Sequence, residues 1–188
     1  MVLAYLVQHG EKEPVPGDPG LTPAGRRQAG RTGRWLDGRG VQALFTSPLR
    51  RARETADCIA AVTGLAVQPD TRLRERLNWD GSQPYRDFLA RWARTTDDRD
   101  FVPPDGESSR QAGARLQAFL ADLPGAPGPV AAVTHGGITT DLLRNLLGDD
   151  ALPPHLLDAG IPPCAVTAID DLTVIMIAST AHLPPPPR

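Results

Sequence analysis

The sequence predicts an α/β protein, a three-layer α/β/α sandwich around a mostly parallel sheet. Three observations carry this expectation. Short apolar runs of strand length recur along the 188 residues, and segments with helical spacing separate them. Two of the runs, "AYLVQHG" at 4–10 and "VAAVTHGG" at 130–137, end alike in histidine and glycine. In open α/β sheets, ligands bind outside the carboxyl ends of the strands, and His9 and His135 both stand at such ends.

Each element follows in chain order. Residues 2–8 form a nearly continuous apolar run, too short for a helix, and read as a buried strand. "EKEPVPGDPG", 11–20, is a loop by its prolines and glycines. Thr22 is a side-chain cap and Pro23 the first helical residue of a helix with Ala24, Ala29, Trp35 and Leu36 inside and a glycine-rich exit. "VQALFTS", 41–47, is the second strand, a helix runs from Pro48 to Gly64, and "LAVQPD", 65–70, is a short third strand. From Arg72 to Gly106 the pattern loosens into a polar, proline-bounded excursion with a helix over 85–94, and 80–106 is the candidate lid. Ala112, Leu116, Phe119, Leu120 and Leu123 restore helical spacing over 106–123. A strand leading to His135, a helix over 138–147 and a hairpin over 165–180 turning at Asp170–Asp171 follow. "HLPPPPR", 182–188, reads as a frayed tail, giving a single domain over 1–183 and a flexible tail at 184–188.

Composition narrows the partners. A net charge of −2 and a pI near 6.1 give no electrostatic case for nucleic acid or an anionic membrane surface, and no run approaches the length of a membrane span. The amino-terminal stretch has no basic region or small-residue cleavage site, so a cytoplasmic protein with a small-molecule partner is expected. Cys58 and Cys164 lack the spacing of a redox or zinc site and read as structural thiols. Lys12 is the sole lysine beside nineteen arginines, so most arginines are read as solvated surface unless their position argues otherwise.

The candidate site grows from the two histidines. Either alone is as readily a loop or core residue, but as a pair, each before a glycine that lets a ligand approach the backbone, they point to a shared pocket. "TSPLRRARETA", 46–56, brings a third strand end and a helix amino terminus with Arg50, Arg51 and Arg53, which suits an anion. For Arg50 and Arg53 a solvated face partnered by Glu54 is the preferred reading. Glu75 in "RLRERLNWDG" is either paired with a neighbouring arginine or available as a proton donor.

Taken in order, "LVQHGE", "LTPAGRRQA", "TSPLRRARETA", "LRER", "GES" and "VTHGG" resemble the histidine phosphatase superfamily, which contains cofactor-dependent phosphoglycerate mutases and many small phosphatases. The resemblance covers nearly the whole chain. It implies a phosphoglycerate mutase-like fold and a phosphohistidine mechanism with His9 as nucleophile and Glu75 as proton donor and acceptor. It makes His135 a donor to the phosphoryl oxygens, Arg51 the phosphate clamp and Gly136 a nearby backbone amide. The substrate would be a small phosphorylated metabolite, with no cofactor and no metal, since phosphoryl transfer needs chiefly positioning and neutralisation of charge.

The resemblance breaks at one place. The family's signature is Arg-His-Gly, and this chain has Gln8-His9-Gly10. Glutamine offers amide donors but no charge, a loss of roughly 1.5 to 3 kcal/mol on a buried phosphate contact. Gln8 therefore belongs to the expected phosphate-binding set and leaves three outcomes open: a weakened phosphatase, one compensated by Lys12 or Arg50, or a site reassigned to another reaction or to binding alone. The short excursion at 80–106 favours hydrolysis over mutase activity.

Overall fold

The computed structural model describes residues 2–123 and 125–184. One six-stranded sheet is built from β1 (Leu3–Gln8), β2 (Ala43–Thr46), β3 (Val67–Pro69), β4 (Val130–Thr134), β5 (Val166–Asp170) and β6 (Thr173–Ser179), in the order β3-β2-β4-β1-β5-β6. β1 to β4 are mutually parallel, and β5 and β6 add an antiparallel ribbon beside β1. The mostly parallel sheet predicted from the sequence is therefore present.

Alternation along the strands fills both faces. Ala4 and Leu6 of β1 enter one core with Leu116 and Phe119 of α4 (Ser109–Ala121) and Ile138 and Leu142 of α5 (Gly136–Leu147). Tyr5 and Val7 enter the other with Leu36 of α1 (Pro23–Asp37) and Ala52, Ala56 and Ile59 of α2 (Arg50–Thr63). The helices thus cover a sheet buried on both sides, as parallel strands require.

Local signals set most helix ends. Thr22 Oγ1 accepts from Gly25 N–H at 3.0 Å ahead of Pro23, and Ser108 and Gln111 form a reciprocal capping box on α4. α2 begins at Arg50, two residues later than predicted, because Leu49 stays extended at the cap. α3 (Tyr85–Asp97) outlasts its predicted end at 94, and a short α6 (Pro154–Asp158) carried no periodic signal. The terminal hairpin turns at Asp171 and Leu172, both left-handed, one residue beyond the predicted pair.

The predicted fraying does not set in at His182. His182 Nε2 bonds Thr32 Oγ1 at 3.0 Å and its ring packs on Trp35 at 5.2 Å, which ties the segment to α1. The rest of the predicted tail, 185–188, lies outside the described residues. Among the described residues no helix is long and apolar enough to cross a membrane.

Candidate active site

β1, β2 and β4 end at one level, with Gln8 opposite Thr134 and Thr46 opposite Val133, so His9, Ser47 and His135 emerge side by side. The backbone around His9 is pinned from both neighbours. His9 N–H donates to the Thr134 carbonyl at 3.1 Å, and Cys164 N–H reaches the Gln8 and His9 carbonyls at 3.1 and 3.2 Å. Cys164 holds a left-handed conformation (φ 56°), an uncommon backbone state that these bonds help to fix. Burial pushes its thiol up to about 12, and Cys58, half-buried, is also free.

The segment after His9 runs against α1 with no room for side chains. A Cβ on Gly10 would stand 2.7 Å from the Gly25 carbonyl oxygen, and one on Gly25 would stand 2.1 Å from that of Glu11. Gly10 N–H donates to Thr55 Oγ1 at 3.0 Å, and that hydroxyl donates to the Arg51 carbonyl at 2.7 Å. One short chain of bonds thereby sets His9 against α2.

Geometry fixes the state of His9. Its Nδ1 lies 2.8 Å from the Gly10 carbonyl oxygen, which can only accept, so Nδ1 carries the proton and Nε2 keeps its lone pair. The Gln8 amide nitrogen approaches that lone pair at 3.4 Å, while Gln8 Oε1 is buried without a partner. Burial, and then the Arg51 guanidinium, lower the His9 imidazole to about 3, which keeps it neutral.

His135 sits behind His9, edge to face, with ring centroids 5.3 Å apart. Its Nε2 shares a hydrogen bond with Ser47 Oγ at 2.7 Å, and its buried Nδ1 has no partner. Burial, with Arg51 and His9 nearby, holds it well below the usual histidine range.

Arg51 lies in the first turn of α2, buried, with Nη1 donating to Asn78 Oδ1 at 3.2 Å and Nε unpartnered. Asn78 is anchored by its own amide on the Gly17 carbonyl at 2.7 Å. The surface reading holds for Arg50, exposed and paired with Glu54 at 2.8 Å, and Arg53 is likewise exposed.

Glu75 is not paired with an arginine, as one reading of the sequence expected. Its carboxylate accepts from Gly137 N–H at 3.0 Å and from the Ile138 and Arg76 N–H groups at 2.9 Å each, at the amino terminus of α5. A Cβ on Gly137 would meet the Trp92 ring at 2.5 Å and Glu75 Oε1 at 2.6 Å, so the second glycine of "HGG" makes this seat. Gly136 needs its glycine less, since a Cβ there would stand 3.4 Å or more from its neighbours. Beside Glu75, buried Arg76 gives both Asp141 oxygens a 2.7 Å bond and stacks on Trp92 at 4.1 Å.

Two adjoining cavities open above these residues. The smaller, about 310 Å³, is lined by His9, Arg51 and Glu75 and by aromatic residues of the excursion, Trp79, Tyr85, Phe88 and Trp92. The larger, about 440 Å³, is lined by Gln8, Glu75, Gly136, Thr140 and Arg144. Lys12, Glu75, Tyr85 and Trp92 line both. The expected residues therefore gather in one region, with Gln8 and Gly136 facing a different chamber from His9 and Arg51, and His135 behind His9, lining neither. Sequence reasoning passed over Ser47, Asn78 and Gly137, although each stands inside a quoted motif. No group of three His, Cys, Asp or Glu side chains among the described residues is arranged to hold a metal.

Comparison with known proteins gives the family. The chain is 34% identical over 175 residues to "Probable phosphoglycerate mutase GpmB" of Yersinia enterocolitica, covering 82% of this chain and 78% of that one. It is 32% identical over 189 residues to the Klebsiella pneumoniae protein of the same name, covering 90% and 85%. Among solved structures, a mycobacterial glucosyl-3-phosphoglycerate phosphatase with inorganic phosphate superposes with a TM-score of 0.76 at 28% identity over 98% of this chain and 100% of that one. Bacillus stearothermophilus YhfR gives a TM-score of 0.70 at 26% identity over 95% and 96%. These relatives support phosphoryl transfer or hydrolysis on small phosphorylated molecules. A family model described as "Histidine phosphatase superfamily (branch 1)" matches residues 4–171, and the chain belongs to that family.

Proposed function

We propose that the protein is a phosphomonoester hydrolase acting on a small phosphorylated metabolite through a phosphohistidine at His9. The observation that carries this reading is the bond from His9 Nδ1 to the Gly10 carbonyl, which leaves a neutral Nε2 in a cavity shared with Arg51 and Glu75.

His9 Nε2 attacks phosphorus, and the bond from phosphorus to the ester oxygen breaks as the N–P bond forms. Glu75 enters the cycle as the carboxylic acid and gives its proton to the departing oxygen; as the carboxylate it then takes one from the water that attacks phosphorus and breaks the N–P bond, which frees His9 and restores the acid. Arg51 neutralises the spreading charge, and the Gly136 amide and the Gln8 NH₂ group donate to the phosphoryl oxygens. With Ser47 donating to His135 Nε2, the free Nδ1 of His135 carries a proton and is a further donor. A metabolite substrate and free thiols at Cys58 and Cys164 fit a cytoplasmic enzyme.

Residues 1–183 act as one domain in this reading, with the excursion at 80–106 as a lid. The curated relatives' name favours a second reading, a mutase. Hydrolysis is preferred because Tyr85 and Leu89 on the cavity wall are 52% and 45% exposed, so water reaches the site. Incubation with phosphorus-labelled monoesters should leave acid-labile label on His9 and release inorganic phosphate. Full turnover by His9→Ala would overturn the mechanism, and an isomerised phosphoester in place of free phosphate would establish the mutase.

A further inference from the structure

We propose that Lys12 carries the second positive charge of the phosphoryl pocket, beside Arg51, and binds the dianionic phosphoryl group in place of a charged residue at position 8. The inference rests on the phosphatase reading for its ligand, and its test separates the two.

Lys12 is the only lysine of the chain and lies three residues beyond His9, on the same turn away from β1. A lone bridge between Lys12 and Leu21 and the bond from Glu13 N–H to the Gly20 carbonyl at 3.0 Å hold its backbone. Its side chain lines the cavity of His9 and Arg51 and also that of Gln8 and Gly136, so it stands where the two chambers meet. Among the described residues none of the ion pairs includes it.

The other cations near the chambers are already neutralised. Arg76 is spent on Asp141 and Arg144 on Asp149, and Arg50, which lines neither chamber, is paired with Glu54. Lys12 instead shares its chamber with Arg51, and loss of solvent, then the Arg51 charge, hold its ammonium below the usual lysine range. Glu75, which lines both chambers, and Asp18 offset the Arg51 charge in part, but neither is ion-paired with Lys12, and an anion placed between the two cations relieves the repulsion that remains. Gln8, neutral and with Oε1 orphaned, supplies no charge to this pocket. An ammonium on a flexible stem serves as a point-charge phosphate ligand, and at the junction of the chambers it can meet a phosphoryl group that His9 also reaches.

The single lysine makes the test direct. Reductive ¹³C-methylation labels Lys12 Nζ and the chain's amino terminus only, and inorganic phosphate titrated against the labelled full chain should move the Lys12 signal. By calorimetry, Lys12→Met should weaken inorganic phosphate binding by about ten- to a hundred-fold, Lys12→Arg should retain most of it, and Gln8→Arg should restore it in the Lys12→Met background. A Lys12 signal unmoved at high phosphate, or Lys12→Met binding phosphate within twofold of the native chain, overturns the proposal. Phosphate binding that depends on Lys12 in a chain that hydrolyses no monoester upholds the proposal and removes the phosphatase reading. Hydrolysis indifferent to Lys12 does the reverse.

Discussion

The floor and the wall of the site are built in opposite ways. On the floor, His9, Arg51 and His135 are 8%, 4% and 1% exposed, each tied by a hydrogen bond to its surroundings, and the loop behind them is packed backbone to backbone. On the wall, α3 buries only Thr95, and its Tyr85, Phe88 and Trp92 make a ladder of aromatic contacts with Trp79, at centroid spacings of 4.8 to 6.0 Å. The contrast separates two tasks. Chemistry common to every monoester needs fixed groups, whereas recognition of a leaving group is met by broad aromatic faces that adapt at small cost.

The largest expected effect belongs to the floor and is one of pH. His9 is lowered from 6.5 to about 3 in the folded chain, so at pH above 6.5 it is neutral folded or unfolded and contributes no difference. Below 6.5 the unfolded chain takes up a proton that the native site refuses. Stability should therefore fall as pH drops from 6.5 to 3, by roughly 5 kcal/mol from His9 alone, with His135 acting in the same direction. Denaturant unfolding at a series of pH values measures this, and a midpoint constant across that window would show that the floor is open to protons. Activity should correspondingly show no acid limb from His9 in the free enzyme above about pH 4.

Next in size, Arg51→Ala should lower kcat for every monoester by about 10²- to 10³-fold. A loss confined to some substrates would place Arg51 with the wall. Gly137→Ala tests the seam between the two regions, since its Cβ must displace Trp92 or Glu75. A stability loss of about 1 to 3 kcal/mol accompanied by reduced turnover is expected, read by thermal unfolding and initial rates. The smallest effect is assigned to Phe88→Ala, which should change the ranking of aryl against sugar phosphates by less than about tenfold while leaving inorganic phosphate inhibition unchanged.

How much of this was legible in the sequence follows the same division. The floor could be read because strand ends, His-Gly pairs and an arginine at a helix start are local patterns whose physics is local. The continuous apolar run "AYLV" and a capped "TPAG" identify their elements without any contact. Partners escaped reading where the bond spans distant residues. Nothing in "RLNWDG" announces that Asn78 holds Arg51, and nothing around Ser47 announces His135. Glu75 was read as either arginine-paired or free because two of its three partners are backbone N–H groups some sixty residues away. The division into two chambers was invisible for the same reason, and α6, at five residues, is too short to show a period.

The place of β1 in the sheet has a consequence for synthesis. The strand that delivers His9 is made early, yet it lies between β4 and β5, and the bonds that seat Gln8 and His9 come from Thr134, Cys164 and Ala165. A nascent chain holds the strand of His9 long before it holds either of that strand's neighbours, and closing such distant pairings is slow. A ribosome-tethered chain truncated before β5 leaves one side of β1 unpaired. On the proposed hydrolase reading, phosphate release from staged nascent chains should begin only after residue 170 has cleared the exit tunnel, because β5 completes the seat of His9.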